Sequence, residues 1–340
     1  MKNRKVMFMS PLQVQTVEEE YVPGGLGDNE ISVKLIYSLI SPGTEQAMLA
    51  GTESWAQLPL CPGYASVSRV LEAGQGVKDF KPGDVVFHYG SHCEYQTVEV
   101  RDVVLKVPDG LNLKWVPFTR MATVAFTSLR VSNIELGDKV SVTGLGLVGN
   151  LAAQLARLQG ATVIGVDLSK ERLRTASQCG VNYTLEAGSG VKEKLMEITR
   201  GNGVSSHIEA TGVPQVAVES LQYIGSEGEI ILLGSPRGVF NTNVTDVLNY
   251  SHLANFGCIT FKGAHEWRYP TEPDRFVKHS LVRNSLIVFD LMQRQQLQIE
   301  PLISHVIKPE QAADAYQGLR TDKDRYNGVL FDWSAEGEAR

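Results

Sequence analysis

Apolar residues in the first third of the chain come in short runs, and a turn signal closes each run. Ile31–Ile40, Ser66–Glu72, Asp84–Phe87 and Glu94–Val98 are predicted strands, with turns at Pro42-Gly43, Pro62-Gly63, Pro82-Gly83-Asp84 and Pro108-Asp109-Gly110. A helical stretch, Val116–Asn133, leads out of this region. From Gly137-Asp138 the pattern alternates strictly between strand and helix. The predicted strands are Val140–Thr143, Thr162–Val166, Tyr183–Leu185, His207–Ala210, Glu229–Leu233 and Cys258–Phe261. The helices between them are Leu147–Gln159, Lys170–Gln178, Val191–Thr199 and Gln215–Ile224. Such alternation implies parallel βαβ units covered on both faces, a doubly wound α/β sheet. Beyond it the pattern predicts an amphipathic helix near Phe276–Gln295, a helix at Pro309–Leu319 and a strand at Gly328–Phe331. This last segment is expected to return and complete the first domain. The expected domains are therefore 1–121 with 262–340, β-rich, and 122–261, α/β.

The stretch Lys139–Asp167 carries the clearest chemistry. Strand Val140–Thr143 runs into Gly144-Leu145-Gly146-Leu147-Val148-Gly149, then a helix, then a second strand ending in Asp167. That order is what a dinucleotide site requires. Gly144 permits the tight turn, Gly146 removes a side chain where a pyrophosphate approaches, and Gly149 lets helix pack close on strand. The helix N-terminus offers free N–H groups and a positive dipole end. Asp167 lies roughly 20 residues past the glycines, where a carboxylate accepts the adenosine ribose hydroxyls. A 2′-phosphate there would meet a like charge, so NAD is the expected cofactor. Lys170 and Arg172 follow closely and can soften that preference, or simply face solvent.

Composition narrows the class. The 340 residues suit two domains, and 43% hydrophobic with 21% charged residues is ordinary for a globular protein. The net charge of −6 and the lack of any basic run argue against a nucleic-acid partner. The apolar run at the N-terminus is too short for a signal peptide, and no stretch is long enough to span a bilayer. Cys61, Cys93, Cys179 and Cys258 form no CxxC pair, so no zinc knuckle or redox motif is expected. A cytoplasmic protein with a small-molecule substrate is the expectation.

The chain resembles the medium-chain dehydrogenase/reductase superfamily over nearly its whole length. The resemblance is carried by ISPGTE (Ile40–Glu45), PGYASVSRVLEAGQGVKDFKPGDVV (Pro62–Val86), CEYQTVEVRDVVLKVPDGL (Cys93–Leu111), the glycine turn, EATG (Glu209–Gly212) and LLGSPRG (Leu232–Gly238). It implies a GroES-like catalytic domain split around a Rossmann domain, with the active site in the cleft between them. It further implies that Leu147, Val148, Thr211, Gly212, Gly234 and Ser235 join the cofactor site. A homodimer or homotetramer is implied too, with sheet pairing through the edge strand near Cys258–Phe261.

The departures from the family pattern concern its zinc site. Pro42 stands where a cysteine ligand is usual, Tyr64 where a histidine is usual, and Arg120 (or Met121) at the third ligand. Proline, phenol and guanidinium cannot build the usual N/S zinc site, so the zinc-lacking branch of the family is expected. Without the metal, Brønsted groups and hydrogen-bond donors must hold the developing alkoxide. Thr44 aligns with the family's proton-relay hydroxyl, Glu45 with an acid behind the metal. Tyr64 can donate to a substrate oxygen or pack as an aromatic filler. Arg120 can stabilise Tyr64 as a phenolate, bind an anionic substrate group, or form an interdomain salt bridge. His88, His92 and His265 are candidate general bases.

The expected function is zinc-independent, NAD(H)-dependent hydride transfer between nicotinamide and a secondary alcohol or ketone. A polyol, sugar or cyclitol derivative is the expected substrate. The alternatives are a quinone or enoyl reductase, a bacteriochlorophyllide-type alcohol dehydrogenase, and a non-catalytic cofactor-binding protein.

Overall fold

The computed structural model describes residues 2–21 and 24–334. A hairpin, β1 (Lys2–Ser10) and β2 (Gln13–Glu20), opens the chain and is followed by β3 (Glu30–Leu39), α1 (Pro42–Leu49), β4 (Ser66–Ala73), β5 (Val85–His88), β6 (Tyr95–Glu99) and β7 (Val104–Lys106). Helix α2 (Phe118–Val131) leads to the alternating part: β8 (Lys139–Thr143), α3 (Leu147–Leu158), β9 (Thr162–Asp167), α4 (Lys170–Gln178), β10 (Tyr183–Glu186), α5 (Val191–Ile198), β11 (Val204–Glu209), α6 (Pro214–Ser220), β12 (Ile224–Leu232), α7 (Val244–His252) and β13 (Thr260–Gly263). The chain closes with α8 (Leu281–Gln293), β14 (Ile303–Ile307), α9 (Ala312–Thr321) and β15 (Gly328–Asp332).

Two main sheets result. Six parallel strands in the order β10-β9-β8-β11-β12-β13 make the doubly wound sheet. The order reverses between β8 and β11, so their C-terminal ends open the crevice where such sheets bind ligands. The other sheet runs β14-β15-β3-β4-β5-β7, with β6 paired to β3. This is the expected architecture, a β-rich domain beside a doubly wound one. One continuous core joins them: Phe87 and Leu39 of the β14-to-β7 sheet cluster with α2, α3 and α8. A smaller core holds the N-terminal hairpin, where Val6 and Phe8 pack on Tyr316, Phe331 and Trp333.

Local chemistry explains where the elements depart from the pattern. Pro42-Gly43, expected as a turn, opens α1, because proline is at home in the first helical turn. The helix expected from Phe276 begins at Leu281, where the Ser280 hydroxyl caps it by accepting from the Arg283 N–H at 3.0 Å. The last sheet strand starts at Thr260 instead of Cys258, whose φ of 52° breaks extended backbone. The helix expected over Gln215–Ile224 stops at Ser220 and gives way to a 3-10 turn. Helix α8 packs against α2, and the chain joins the β-rich sheet again at β14 and β15.

Candidate active site

At the end of β8 the chain turns through Gly144 (φ 89°) into α3. A Cβ on Gly149 would lie 1.7 Å from the Gly144 carbonyl oxygen, so helix and turn touch backbone to backbone. A Cβ on Gly146 would meet nothing nearer than Arg172 Nη1 at 3.9 Å, so the turn faces open space there. No side chain caps α3. Its first amides, at Leu147 and Val148, therefore have no side-chain acceptor, and the Leu147 side chain itself is buried. Open space, free amides and a helix dipole fit a pyrophosphate. The loops after β11 and β12 close beside this turn. Added Cβ atoms on Gly212 and Gly234 would sit 2.3 Å from Ser235 O and Gly212 N respectively. Buried Glu209 fixes the first loop by accepting from Thr211 N (2.7 Å), the Thr211 hydroxyl and Gly212 N (3.0 Å).

Asp167 is buried at the end of β9. It accepts from Leu145 N at 2.6 Å and from Ser169 N at 2.8 Å, which locks its carboxylate against the glycine turn. Arg172 approaches it, with Nη1 3.9 Å from Asp167 Oδ2, and also donates to Lys323 O at 3.3 Å. Lys170 does not join them. It is 82% exposed and lies 3.7 Å from Glu186.

A cavity of about 1440 Å³ lies in the cleft between the two sheets. Thr44, Tyr64, Arg120, Ser235, Arg237, His265 and Glu266 are among the residues that line it. Thus four of the five expected catalytic residues, Thr44, Tyr64, Arg120 and His265, share one wall system. The glycine turn and Asp167 lie outside it, and the loop after β12 connects the two regions. The Tyr64 hydroxyl donates to Ser41 Oγ at 2.5 Å. Burial, then nearby Glu45, pushes the Tyr64 phenol above its ordinary value, against the opposing pull of Ser41, Thr44 and Arg120. A phenolate stabilised by Arg120 is therefore not what forms. The guanidinium instead lies over the Tyr64 ring, 4.9 Å from its centroid, and pairs with Glu266.

His92 does not reach the cavity. It is fully buried, with Nδ1 2.7 Å from Ser38 Oγ and Nε2 3.1 Å from Glu45 Oε2. Both ring nitrogens are engaged inside the protein, away from the residues that line the cavity. Glu45 is the hub of that buried network, also accepting from Ser41 N at 2.8 Å and from the Tyr316 hydroxyl. His88 is equally buried on Ser68, at 2.7 Å, and burial lowers its pKa to about 3. The sequence did not single out Tyr89, Glu53, Trp55 or Trp267, all of which line the cavity. Glu53 accepts from Trp55 Nε1 at 3.0 Å and from Arg237 Nη2 at 2.5 Å, across 184 residues of chain. No local pattern signals such a pair.

The residues at the family's metal positions do not fit a zinc ion. Pro42 has no donor atom, the Tyr64 hydroxyl is spent on Ser41, and Arg120 is a cation held by a carboxylate. Among the described residues, no three His, Cys, Asp or Glu side chains are placed to share a metal.

Residues 148–272 match the family described as zinc-binding dehydrogenases. Over 266 residues the chain is 27% identical to an alcohol dehydrogenase of Geobacillus stearothermophilus, covering 67% of this chain and 76% of that protein. Over 262 residues it is 28% identical to the D-guloside 3-dehydrogenase of Shigella flexneri, covering 75% and 72%. The structure of galactitol-1-phosphate dehydrogenase from Escherichia coli superposes with a TM-score of 0.83 at 20% identity, covering 97% of this chain and 99% of that one. A doubly wound sheet beside a β-rich domain, with a polar cavity between them, is the architecture this chain shares with that structure. The chain is thus similar to zinc-type alcohol dehydrogenases of the medium-chain dehydrogenase/reductase kind.

Proposed function

We propose that this protein is a zinc-independent, NAD(H)-dependent oxidoreductase of secondary alcohols and their ketones, acting on a polyol, sugar or cyclitol derivative. One observation carries the reading: the wall where the family holds its metal is built from Tyr64, Arg120 and Glu266, and it shares a cavity with the loop after β12. The relatedness to a D-guloside dehydrogenase supports a polyhydroxylated substrate. So does the wall itself, which mixes aromatic rings with carboxylates, hydroxyls and Gln96.

Gly144, Gly146 and Gly149 with the first amides of α3 would hold the pyrophosphate, and Asp167 the adenosine ribose. Thr211, Gly212, Gly234 and Ser235 would shape the nicotinamide side. The preference for NAD over NADP rests on Asp167, a buried carboxylate that Arg172 offsets only at 3.9 Å. A nicotinamide bound in this cleft supplies the hydride chemistry. Tyr64, kept neutral by burial and donating to Ser41, accepts a hydrogen bond from the substrate hydroxyl on its remaining lone pair, and Thr44 lies beside it. His265 opens onto the cavity and takes up or returns the proton. Because β13 is an exposed sheet edge, we further propose a dimer built on it; a monomer by light scattering would sink that part.

The deciding experiment is a paired screen. Oxidised cofactor is offered with polyols, sugars and cyclitols, and reduced cofactor with quinones and enones. Turnover confined to the first panel is the expected result. Turnover confined to the second would make the protein a conjugated-carbon reductase, and silence in both with intact cofactor binding would make it non-catalytic. Stoichiometric zinc by elemental assay would overturn metal independence.

A further inference from the structure

We propose that Arg120 takes over the electrostatic task of the missing metal and donates hydrogen bonds directly to the reacting oxygen of the substrate. This rests on the oxidoreductase reading above and assigns a group to its central step.

The local sequence gives Arg120 no reason to be there. It occupies the first turn of α2, the end of a helix where a cation is disfavoured. Its neighbours Phe118, Thr119 and Met121 are buried, and Arg120 itself is only 6% exposed. Burying a charge is costly unless it is paired. Here Glu266, distant in sequence and 4% exposed, grips both terminal nitrogens in a fork. Three aromatic faces complete the enclosure, with the guanidinium carbon 4.4 Å from the Tyr89 ring centroid, 4.9 Å from Tyr64 and 5.9 Å from Trp267. A buried ion pair of this kind is weak evidence for stability, since apolar residues of similar size commonly do as well. Its construction therefore calls for another explanation.

That explanation is the cavity. Arg120, Glu266 and all three rings line it, together with Thr44 and His265. Arg120 Nε is buried and has no hydrogen-bond partner among the described residues. A guanidinium offers five N–H donors in a fixed plane, and Glu266 occupies one side of that fork. An unpaired buried donor is destabilising in the empty protein, and an incoming substrate oxygen relieves it. Burial alone would lower the guanidinium's pKa, but Tyr89 and Glu266 outweigh it and hold the group above its ordinary value. It stays charged throughout the working pH range.

In the oxidative direction the alcohol O–H bond breaks, and its proton passes to His265 and on to solvent. The C–H bond gives up its hydrogen together with the electron pair, and a nicotinamide held by the glycine turn and Asp167 would supply the acceptor for both. The carbon–oxygen single bond becomes a carbonyl. Arg120 transfers nothing: its N–H donors hold the oxygen while negative charge builds on it. That is preorganised electrostatic stabilisation in a site shielded from water.

The test uses the intact protein and two variants, Arg120→Lys and the double variant R120M/E266Q. The double variant removes both charges while keeping volume, so no buried carboxylate is stranded. NADH fluorescence titration serves as the control, with Kd expected to stay within about threefold of wild type. With the alcohol returned by the screen, the double variant should lose about 10²–10³-fold in kcat, KM changing far less. The pH at which its kcat rises should move up by at least about one unit, because the alcohol has lost its cationic partner. Arg120→Lys should recover part of both effects. A double variant that binds NADH normally and keeps wild-type kcat and pH profile overturns the proposal. If wild type turns over neither panel, the functional reading fails separately. Glycolate binding to the NAD-saturated protein then decides: about tenfold or greater weakening in the double variant supports the oxyanion site, and equal binding overturns it.

Discussion

Tyr64 and His92 illustrate how burial sorts residues of similar promise. Both stood out as candidate proton carriers, but only Tyr64 borders the cavity, while His92 spends both nitrogens on Ser38 and Glu45. Tyr64→Phe keeps the ring under Arg120 and removes the hydroxyl. It should lower kcat by about 10²-fold or more with NADH affinity unchanged, as steady-state kinetics beside a fluorescence titration would reveal. Wild-type kcat in this variant would remove Tyr64 from the mechanism. Asp167 is proposed to act on a different ligand, the cofactor. Asp167→Ser removes the carboxylate but leaves Arg172 in place, so the NADPH-to-NADH affinity ratio should rise at least about tenfold. An unchanged ratio would mean that Asp167 does not select the cofactor.

At the level of elements, the glycine turn and α3 work as one unit because Gly149 has no Cβ. Any side chain there meets the Gly144 carbonyl, so the helix must move off the turn. Gly149→Ala should lower stability by about 1–3 kcal/mol and weaken NADH binding more than tenfold. Chemical denaturation and cofactor titration read the two effects separately; normal NADH binding by the variant would show that the turn tolerates displacement. Helix α2 teaches the converse lesson. Its own sequence places a cation in the wrong turn, and only Glu266 and three rings from elsewhere make that residue intelligible. Helix α1 began at a Pro-Gly pair that reads equally well as a turn. Short elements of this kind are settled by what they pack against, here α9.

Across the whole molecule, two histidines buried in different sheets set an acid limit. Burial drives the pKa of His88 and His207 from the ordinary 6.5 to about 3, so both are neutral when folded. Unfolded, each takes up a proton as pH falls through about 6.5. The unfolded state then binds more protons than the native one, so stability is full above that pH and declines toward pH 3. The slope is about 1.4 kcal/mol per pH unit for each histidine. Urea midpoints at pH 7, 6, 5 and 4 should fall accordingly, and His207→Asn should remove about one proton from the dependence. A flat profile would mean that these rings gain solvent or partners before unfolding. The two-sheet plan itself was legible, because strand–helix alternation at this spacing leaves few other folds. Helix α8 is less legible, because an amphipathic helix does not say which neighbour buries its apolar face; here it is α2.

By itself the sequence determined the doubly wound sheet, the glycine turn with an acid at Asp167, and the absence of the usual ligand types at Pro42, Tyr64 and Arg120. These are statements about residue type at short spacing, where sterics and hydrogen-bond capacity are local. Tertiary structure alone decided that Glu266 reaches Arg120, that Glu53 meets Arg237 across the cleft, and that His92 turns inward while His265 faces the cavity. Such pairings depend on which strand ends the fold brings together. A charge or an imidazole takes its role from the groups that enclose it, and those groups come from distant parts of the chain.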